Sequence, residues 1–556
     1  MKKRVKKILC VILLIASIIM AFFIVKLLFF NKINMDDMYI SSDKIEITLY
    51  DMEYNESSKV YRGTKVKASS KIYKNEDKEY KLINYDGERY YALTYNLVSD
   101  YKDSIKEDKM YVRTPVTVYK NSEDATILGF LPKASTLDIT GFDKLNEGIP
   151  HMYKIKYEDS EGYVYTKYLV DNLEDAKKVY DEENTYAIHK DREFSYELYG
   201  GYAKDLDYYP YEKANFKDNV MPEYTKTLYL NASVLDKIDD YIDLAKDSTI
   251  NAFVIDIYDG YMAYPSEVAK EYTKSAYDSA RWTVDEYKNI IKKVKDNGIY
   301  AIGRIVAFNN PHFAEDNISD AISHNGNATS WVSAYSRKAW EYNVKLAIEA
   351  VKNFGFNEIQ FDYVRFPESS YAWSDDGSYD FKNKYNESKG EAIQNFLFYA
   401  TDKIHEVGAY LSADVFGEAA YRYVTAYGQY FPAISNIVDV ISAMPYPDHF
   451  NKYDFGMDVP VWTVPYKTIS AWSEYAYNRQ QEIPTPAKVR TWIQAYDSIR
   501  EPYVTYTDEE IADQIEALHD NGLTDGFITW NAASNLSKYK SLVPAFKKDY
   551  RWCYES

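Results

Sequence analysis

The hydrophobic pattern divides the chain into three regimes. After the tip "MKKRVKK" runs an unbroken apolar stretch, Ile8 to Phe30, long enough as a helix to cross a hydrocarbon core of about 30 Å. From Lys71 to Asp100, and again from Thr117 to Asn172, apolar and polar residues alternate across turns rich in Asn, Asp and Gly. That pattern predicts two small all-β modules in tandem. From Lys226 onward, short apolar runs alternate with longer stretches of 3.6-residue periodicity, as in "SRKAWEYNVKLAIEAVKNFG", where Trp340, Val344, Ile348 and Val351 share a stripe. At four joints a helix is expected to end on Gly298, Gly355, Gly408 or Gly522, residues able to take positive φ at low cost, with a strand following closely. The last helix opens with Thr507 and Glu510 at capping-box spacing.

Eight strands are expected in the third region: 227–233, 251–259, the runs after Gly298, Gly355 and Gly408, then 437–446, 488–497 and the run after Gly522. Eight strands interleaved with helices are the count of an α/β protein of the (β/α)8 TIM-barrel type. A doubly wound open sheet is the competing arrangement, but no Gly-rich phosphate loop follows any strand. The expected organisation is a basic tip and transmembrane anchor over 1–35, β modules over 36–110 and 111–172, a linker or barrel entry over 173–225, and the barrel over 226–556.

Alternate residues of a barrel strand face its interior. In "GFNEIQFDYVRFPE", Gly355 to Glu368, the residues Ile359, Phe361 and Tyr363 form one set and Gln360 and Asp362 the other. The apolar set belongs against the helices, so Asp362 points inward. The same parity turns Asp256, Arg304, Asp414, Gln494 and Trp530 inward, most of them toward the C-terminal ends of their strands, where barrel enzymes place their chemistry. Asp256 with Arg304 also has a purely structural reading as a buried ion pair. Asp362 and Asp414, on adjacent strands, repel in a low dielectric, so that one keeps its proton and the pair presents an acid and a base. Glycosidic cleavage uses that division. The expected nucleophile or base is therefore Asp362 and the expected general acid Asp414, with Glu418 as a spare acid or base. Asp256, Arg304, Gln494 and Tyr446 would position a sugar, and Trp492, Trp530 and Tyr446 offer stacking surface. Arg365 follows the strand end, where parity breaks, and its direction stays open.

Composition narrows the partners. A formal net charge of −19, with no Lys/Arg cluster beyond the N-terminus, argues against nucleic acid. The 59 tyrosines supply flat amphipathic rings that suit carbohydrate-facing surfaces as well as cores. Cys10 and Cys553 alone leave no disulfide framework. Five of the first seven residues are Lys or Arg, so the positive-inside rule holds the tip in the cytoplasm. The expectation is a single-pass cell-membrane protein, anchored through residues 8–30, with extracytoplasmic C-terminal domains; a cleaved signal peptide would also place them outside. No metal or organic cofactor is implied. "VIDIYDG" contains an Asp-Asp-Gly-like metal motif, but no paired His completes it. His405-Glu406 lacks the second His of a zinc-protease helix, and there is no G-x-S-x-G elbow.

The runs "VIDIYDG", "IYAIGRIVAFNNP", "EIQFDYVRFP", "LSADVFGEA", "AMPYPDHF" and "TWNAASN" together resemble a bacterial glycoside hydrolase family whose barrel was long catalogued as a domain of unknown function. The match runs in order from about Tyr224 to the C-terminus. The β segments resemble bacterial SH3-like modules, which often contact cell-wall material; a spacer is their other reading. The family resemblance implies a barrel acting on carbohydrate, with motif positions at Asp256, Arg304, Asp362, Arg365, Asp414, Tyr446 and His449. "MPYPDHF" stands where the family runs closer to "MVYPSHY", which sets Asp448 beside His449. The combined expectation is a membrane-anchored extracytoplasmic glycoside hydrolase cleaving a cell-wall or extracellular polysaccharide with two carboxylates. The alternative is a non-catalytic glycan-binding or cell-envelope scaffolding protein.

Overall fold

The computed structural model describes residues 34–180 and 198–550. They form two compact units. One comprises the described residues up to Val112 with Ser135–Leu173, the other Arg113–Ala134 with those from Glu174 onward. The expected membrane span, Ile8 to Phe30, lies outside the described residues, and among the described residues no helix is long and apolar enough to cross a membrane.

The first unit is all-β. Seven antiparallel strands run in the order Glu56–Tyr61, Glu46–Tyr50, Glu88–Leu93, Lys78–Tyr85, Lys65–Asn75, Met35–Ile40, Leu97–Val98. Their alternation buries Ile40, Leu49, Val66, Ile83 and Ala92 in one core. A further antiparallel set joins Lys109–Val112, Thr136–Phe142, Met152–Tyr157, Ser160–Tyr165 and Leu169–Val170.

The second unit is built on a nearly closed barrel of nine parallel strands. In sheet order these are Lys488–Val489, Val440–Met444, Tyr410–Phe416, Glu358–Asp362, Tyr300–Val306, Ala252–Tyr258, Thr225–Leu230, Gly526–Trp530 and Thr491–Gln494. The first and last are consecutive in the chain, separated only by Arg490, whose N–H donates to Ile441 O at 3.0 Å. The segment expected as a single strand over 488–497 thus supplies both edges of the seam. Helices such as Arg337–Phe354 and Lys389–His405 lie between successive strands. In the same unit, the hairpin Val116–Tyr119 with Ile127–Leu131 rests on those two helices, Ile127 N–H donating to Glu341 at 2.9 Å and Tyr399 O–H to the Ala125 carbonyl at 2.6 Å.

Strand alternation sorts the barrel residues as the pattern predicts. Val254, Ile302, Trp492 and Ile528 meet in the interior with Tyr229, Tyr300 and Tyr410. Ile359 and Phe361 are fully buried on the other face, the Phe361 ring 5.4 Å from Phe396 of helix Lys389–His405. Gly355 ends helix Arg337–Phe354 at φ 74° and donates to Val351 O at 2.8 Å; Gly298, Gly408 and Gly522 also take positive φ.

The N-terminal end of the barrel is sealed. Ala214, Phe216 and Met221 pack against the interior cluster, and Asn219 donates to the carbonyls of Asn357 and Gly408 at 2.8 and 2.9 Å. Just inside, Glu358 pairs with Arg490 at 2.8 Å and accepts from Tyr300 O–H at 3.2 Å. The cavity lies at the opposite, C-terminal mouth.

Candidate active site

Strand Glu358–Asp362 sends three side chains inward at rising levels. Glu358 meets Arg490 at the base, Gln360 donates to Ser442 Oγ at 3.2 Å, and Asp362 stands at the rim. Directly afterwards Tyr363 takes φ 52°, a left-handed conformation that is strained for a bulky residue. Its N–H donates to Asp362 Oδ1 at 2.6 Å, which fixes the carboxylate against the turn. The turn also ends the strand parity and places the Arg365 guanidinium 4.3, 4.7 and 5.2 Å from the rings of Phe416, Tyr363 and Trp331. Arg365 Nη2 then donates to Glu368 at 2.9 Å.

Arg304 organises the carboxylates. Its Nη2 and Nε donate to Asp362 Oδ2 at 2.6 and 3.2 Å, and its Nη1 to Asp256 Oδ1 at 2.7 Å and Asp259 Oδ2 at 3.0 Å. Asp256 also accepts from Tyr229 O–H at 2.7 Å. Burial pushes Asp256 up to about 6 in spite of the guanidinium, because one cation serves three acids. Asp414 is 0 % exposed; its Oδ1 accepts from Trp492 Nε1 at 2.8 Å and its Oδ2 has no partner. Burial, and after it the negative charge of Asp362, raise Asp414 well above the usual carboxylate range.

These groups surround a cavity of about 960 Å3 at the mouth. Of the residues singled out in the sequence, Arg304, Asp362, Arg365, Glu418, Tyr446, His449, Trp492 and Trp530 line it. Asp256, Asp414 and Gln494 do not; they are buried behind the lining. Gln494 donates to Asp448 Oδ2 and accepts from Asp448 N–H, both at 3.2 Å, and so fixes the loop that carries His449. Asp448 is itself buried and takes the Tyr496 O–H at 2.8 Å. Burial lowers His449, which leaves its imidazole neutral. Glu418 accepts from Tyr423 and Tyr427 O–H at 3.1 and 2.8 Å.

Several lining residues escape the sequence reading, among them Asp259, Glu368, Phe416, Tyr421, Tyr427 and Asp454. Asp259 had a signal: it ends the "VIDIYD" run and comes to Arg304 rather than to a metal-like set. The tyrosines of "YRYVTAYG" had one too, since they crowd the loop just past a strand's C-terminal end, the side on which barrels carry their sites. As an arrangement, an arginine-held carboxylate facing a cavity with a second carboxyl buried beside it can divide base and acid roles, and the rings of Tyr446 and Trp530, 6.5 Å apart and nearly parallel, supply flat surface.

A parallel barrel with a carboxylate-rich, aromatic mouth is the setting in which the comparison with known proteins falls. The family model described as "Putative glycosyl hydrolase domain" matches residues 227–536, and the chain belongs to that family. No curated protein matches it in sequence. Among solved structures, a hypothetical protein from Ruminiclostridium thermocellum is 32 % identical over 34 % of this chain and 97 % of its own, with a TM-score of 0.29. The PgaB (BpsB) glycoside hydrolase domain from Bordetella bronchiseptica is 10 % identical over 59 % of this chain and 99 % of its own, with a TM-score of 0.43. A class V chitinase from Pseudomonas fluorescens is 12 % identical over 58 % of this chain and 100 % of its own, with a TM-score of 0.39.

Proposed function

We propose that the barrel is a (β/α)8 glycoside hydrolase, its seventh strand split at Arg490, that cleaves glycosidic bonds of an extracellular or cell-wall polysaccharide. The observation that carries this reading is the unequal pair: Asp362 faces the cavity in an ion pair with Arg304, while Asp414 on the next strand is fully buried with Oδ2 unpartnered, a setting that raises its affinity for a proton. Asp362 is the nucleophile or base, the role that needs an anion with access to substrate. Asp414, buried next to Asp362 with Oδ2 unpartnered, is the first candidate for the proton donor. Glu418 is the second candidate for that step, because it lines the cavity and Asp414 does not. Arg304, positioned by Asp256, orients Asp362; Tyr446 and Trp530 hold the sugar faces, and Gln494 acts through the loop of His449. The apolar run Ile8 to Phe30 is taken as the membrane anchor and the β unit as a wall-facing or spacing element.

The test is hydrolysis of cell-wall and exopolysaccharide preparations by the wild-type chain and by Asp362→Asn. Product release by wild type and its loss in the variant, by about a thousandfold or more, is the expected result. Equal release by both removes Asp362 from the mechanism, and no release from any glycan favours a binding or scaffolding role. The proton donor is then identified with aryl glycosides: an activated leaving group needs no protonation, so it restores the rate of the variant that lacks the acid, Asp414→Asn or Glu418→Gln, and of no other.

A further inference from the structure

The cavity above Asp362 carries more negative charge than its cations offset. Five carboxylates line it, Asp259, Asp362, Glu368, Glu418 and Asp454, against the two guanidiniums of Arg304 and Arg365. Neither arginine has charge to spare. Arg304 is divided among Asp256, Asp259 and Asp362, and Arg365 is paired with Glu368. Glu418 takes only tyrosine O–H groups, and Asp454 only the backbone and side-chain N–H of Asn451 at 2.9 and 3.3 Å. Among the described residues no cation pairs with either. His449 adds no positive charge, since burial lowers its affinity for a proton.

On an open surface such an excess would serve solubility alone. Inside a cavity with aromatic walls the low dielectric focuses the field and selects the sign of the occupant. A uronic-acid polymer would be repelled, and a neutral one can donate hydroxyls to Glu418 and Asp454 but leaves their charge unbalanced. A sugar bearing an ammonium group offsets that charge: the cation meets the carboxylates, and the rings of Tyr421 and Phe450, which also line the cavity, favour a cation as well.

We infer that the substrate of this cavity is a polysaccharide bearing free amino groups, an amino-sugar polymer that has lost its N-acyl groups. The inference rests on the glycoside hydrolase reading of the site and supplies its substrate class. It also sets an order of reactions: where the polymer is made from N-acylated sugars, a deacylation precedes this step.

The test titrates the full chain with glucosamine, N-acetylglucosamine and glucose oligomers of one length and linkage, while released product is measured in parallel. Glucosamine oligomers are expected to bind about tenfold more tightly than the other two, the combined effect of two or three partly screened charge contacts. That preference is expected to vanish when salt is raised to about 0.5 M. In Asp454→Asn, binding of the glucosamine oligomer weakens about threefold and binding of the glucose oligomer stays as it was. Equal or tighter binding of the acetylated or glucose oligomer, or no binding of any of the three, overturns the inference. Preferential binding without product leaves the ligand class standing and removes the hydrolase reading; cleavage of the acetylated oligomer with no charge preference does the reverse.

Discussion

Asp256 shows how burial and charge compete at a single residue. Arg304 lies 2.7 Å away, which alone would lower a carboxyl, yet burial outweighs it and the group rises from an ordinary 3.8 to about 6. The folded state therefore binds more protons than the unfolded chain between those two values. The group's contribution to stability is present in full below about pH 4 and is lost as pH rises through 6. A shift of this size corresponds to about 3 kcal/mol. Asp256→Asn keeps the size and can still accept from Tyr229 but cannot titrate. The difference in urea unfolding free energy between wild type and variant should fall by up to about 3 kcal/mol from pH 4 to pH 7; a difference flat with pH would reject the assignment. Orientation was legible at this scale wherever a strand stayed regular: period-two alternation alone turns Asp256, Arg304 and Asp362 inward. Depth was not. Whether an inward carboxyl meets the cavity, as Asp362 does, or lies behind a neighbour, as Asp414 lies behind Trp492, depends on the bulk of side chains from other strands. The direction of Arg365 depends on the φ of Tyr363, which no periodicity encodes.

At the scale of elements, the signals that could be read were those whose cause is local. Thr507 and Glu510 form the expected capping box at the head of helix Asp508–Asp520, with Thr507 N–H donating to Glu510 at 2.7 Å and Thr507 Oγ1 accepting from Glu509 N–H at 3.2 Å. The first turn of any helix leaves N–H groups without intrahelical partners, and the threonine oxygen satisfies one of them. Thr507→Ala should cost about 1 kcal/mol, measured as a shift in the urea midpoint at unchanged slope, with substrate binding unaffected because the helix head lies outside the cavity lining. Serine at the same position should restore most of the loss; a serine variant as weak as the alanine one would show that packing of the threonine methyl, rather than the cap, is responsible. Mouth loops gave less away. Their tyrosines obey no repeat, and they converge on the cavity only because strands distant in sequence are neighbours in the barrel.

For the molecule as a whole, closure of the barrel rests on a residue that local pattern treats as unremarkable. Arg490 interrupts the strand between Val489 and Thr491, and its N–H holds the seam to Ile441 while its guanidinium reaches inward to Glu358. Both side chains are essentially without solvent contact, 1 % and 0 % exposed. In that setting an ion pair is not a large net source of stability, because desolvation offsets attraction, yet removing one partner strands the other. Arg490→Met should therefore destabilise the protein by about 3–5 kcal/mol, leaving the Glu358 carboxyl in the core with only the Tyr300 hydroxyl as partner. Replacing both, Glu358→Leu with Arg490→Met, should recover most of that loss, since no charge then remains to be solvated and only the Tyr300 hydroxyl loses a partner. The two variants separate two accounts of the seam. If the pair's role is electrostatic neutrality, the double variant unfolds near the wild-type midpoint and keeps cavity binding. If the guanidinium is needed as a geometric clasp between the edges, the double variant remains as weak as the single one, and loss of binding at the mouth accompanies it.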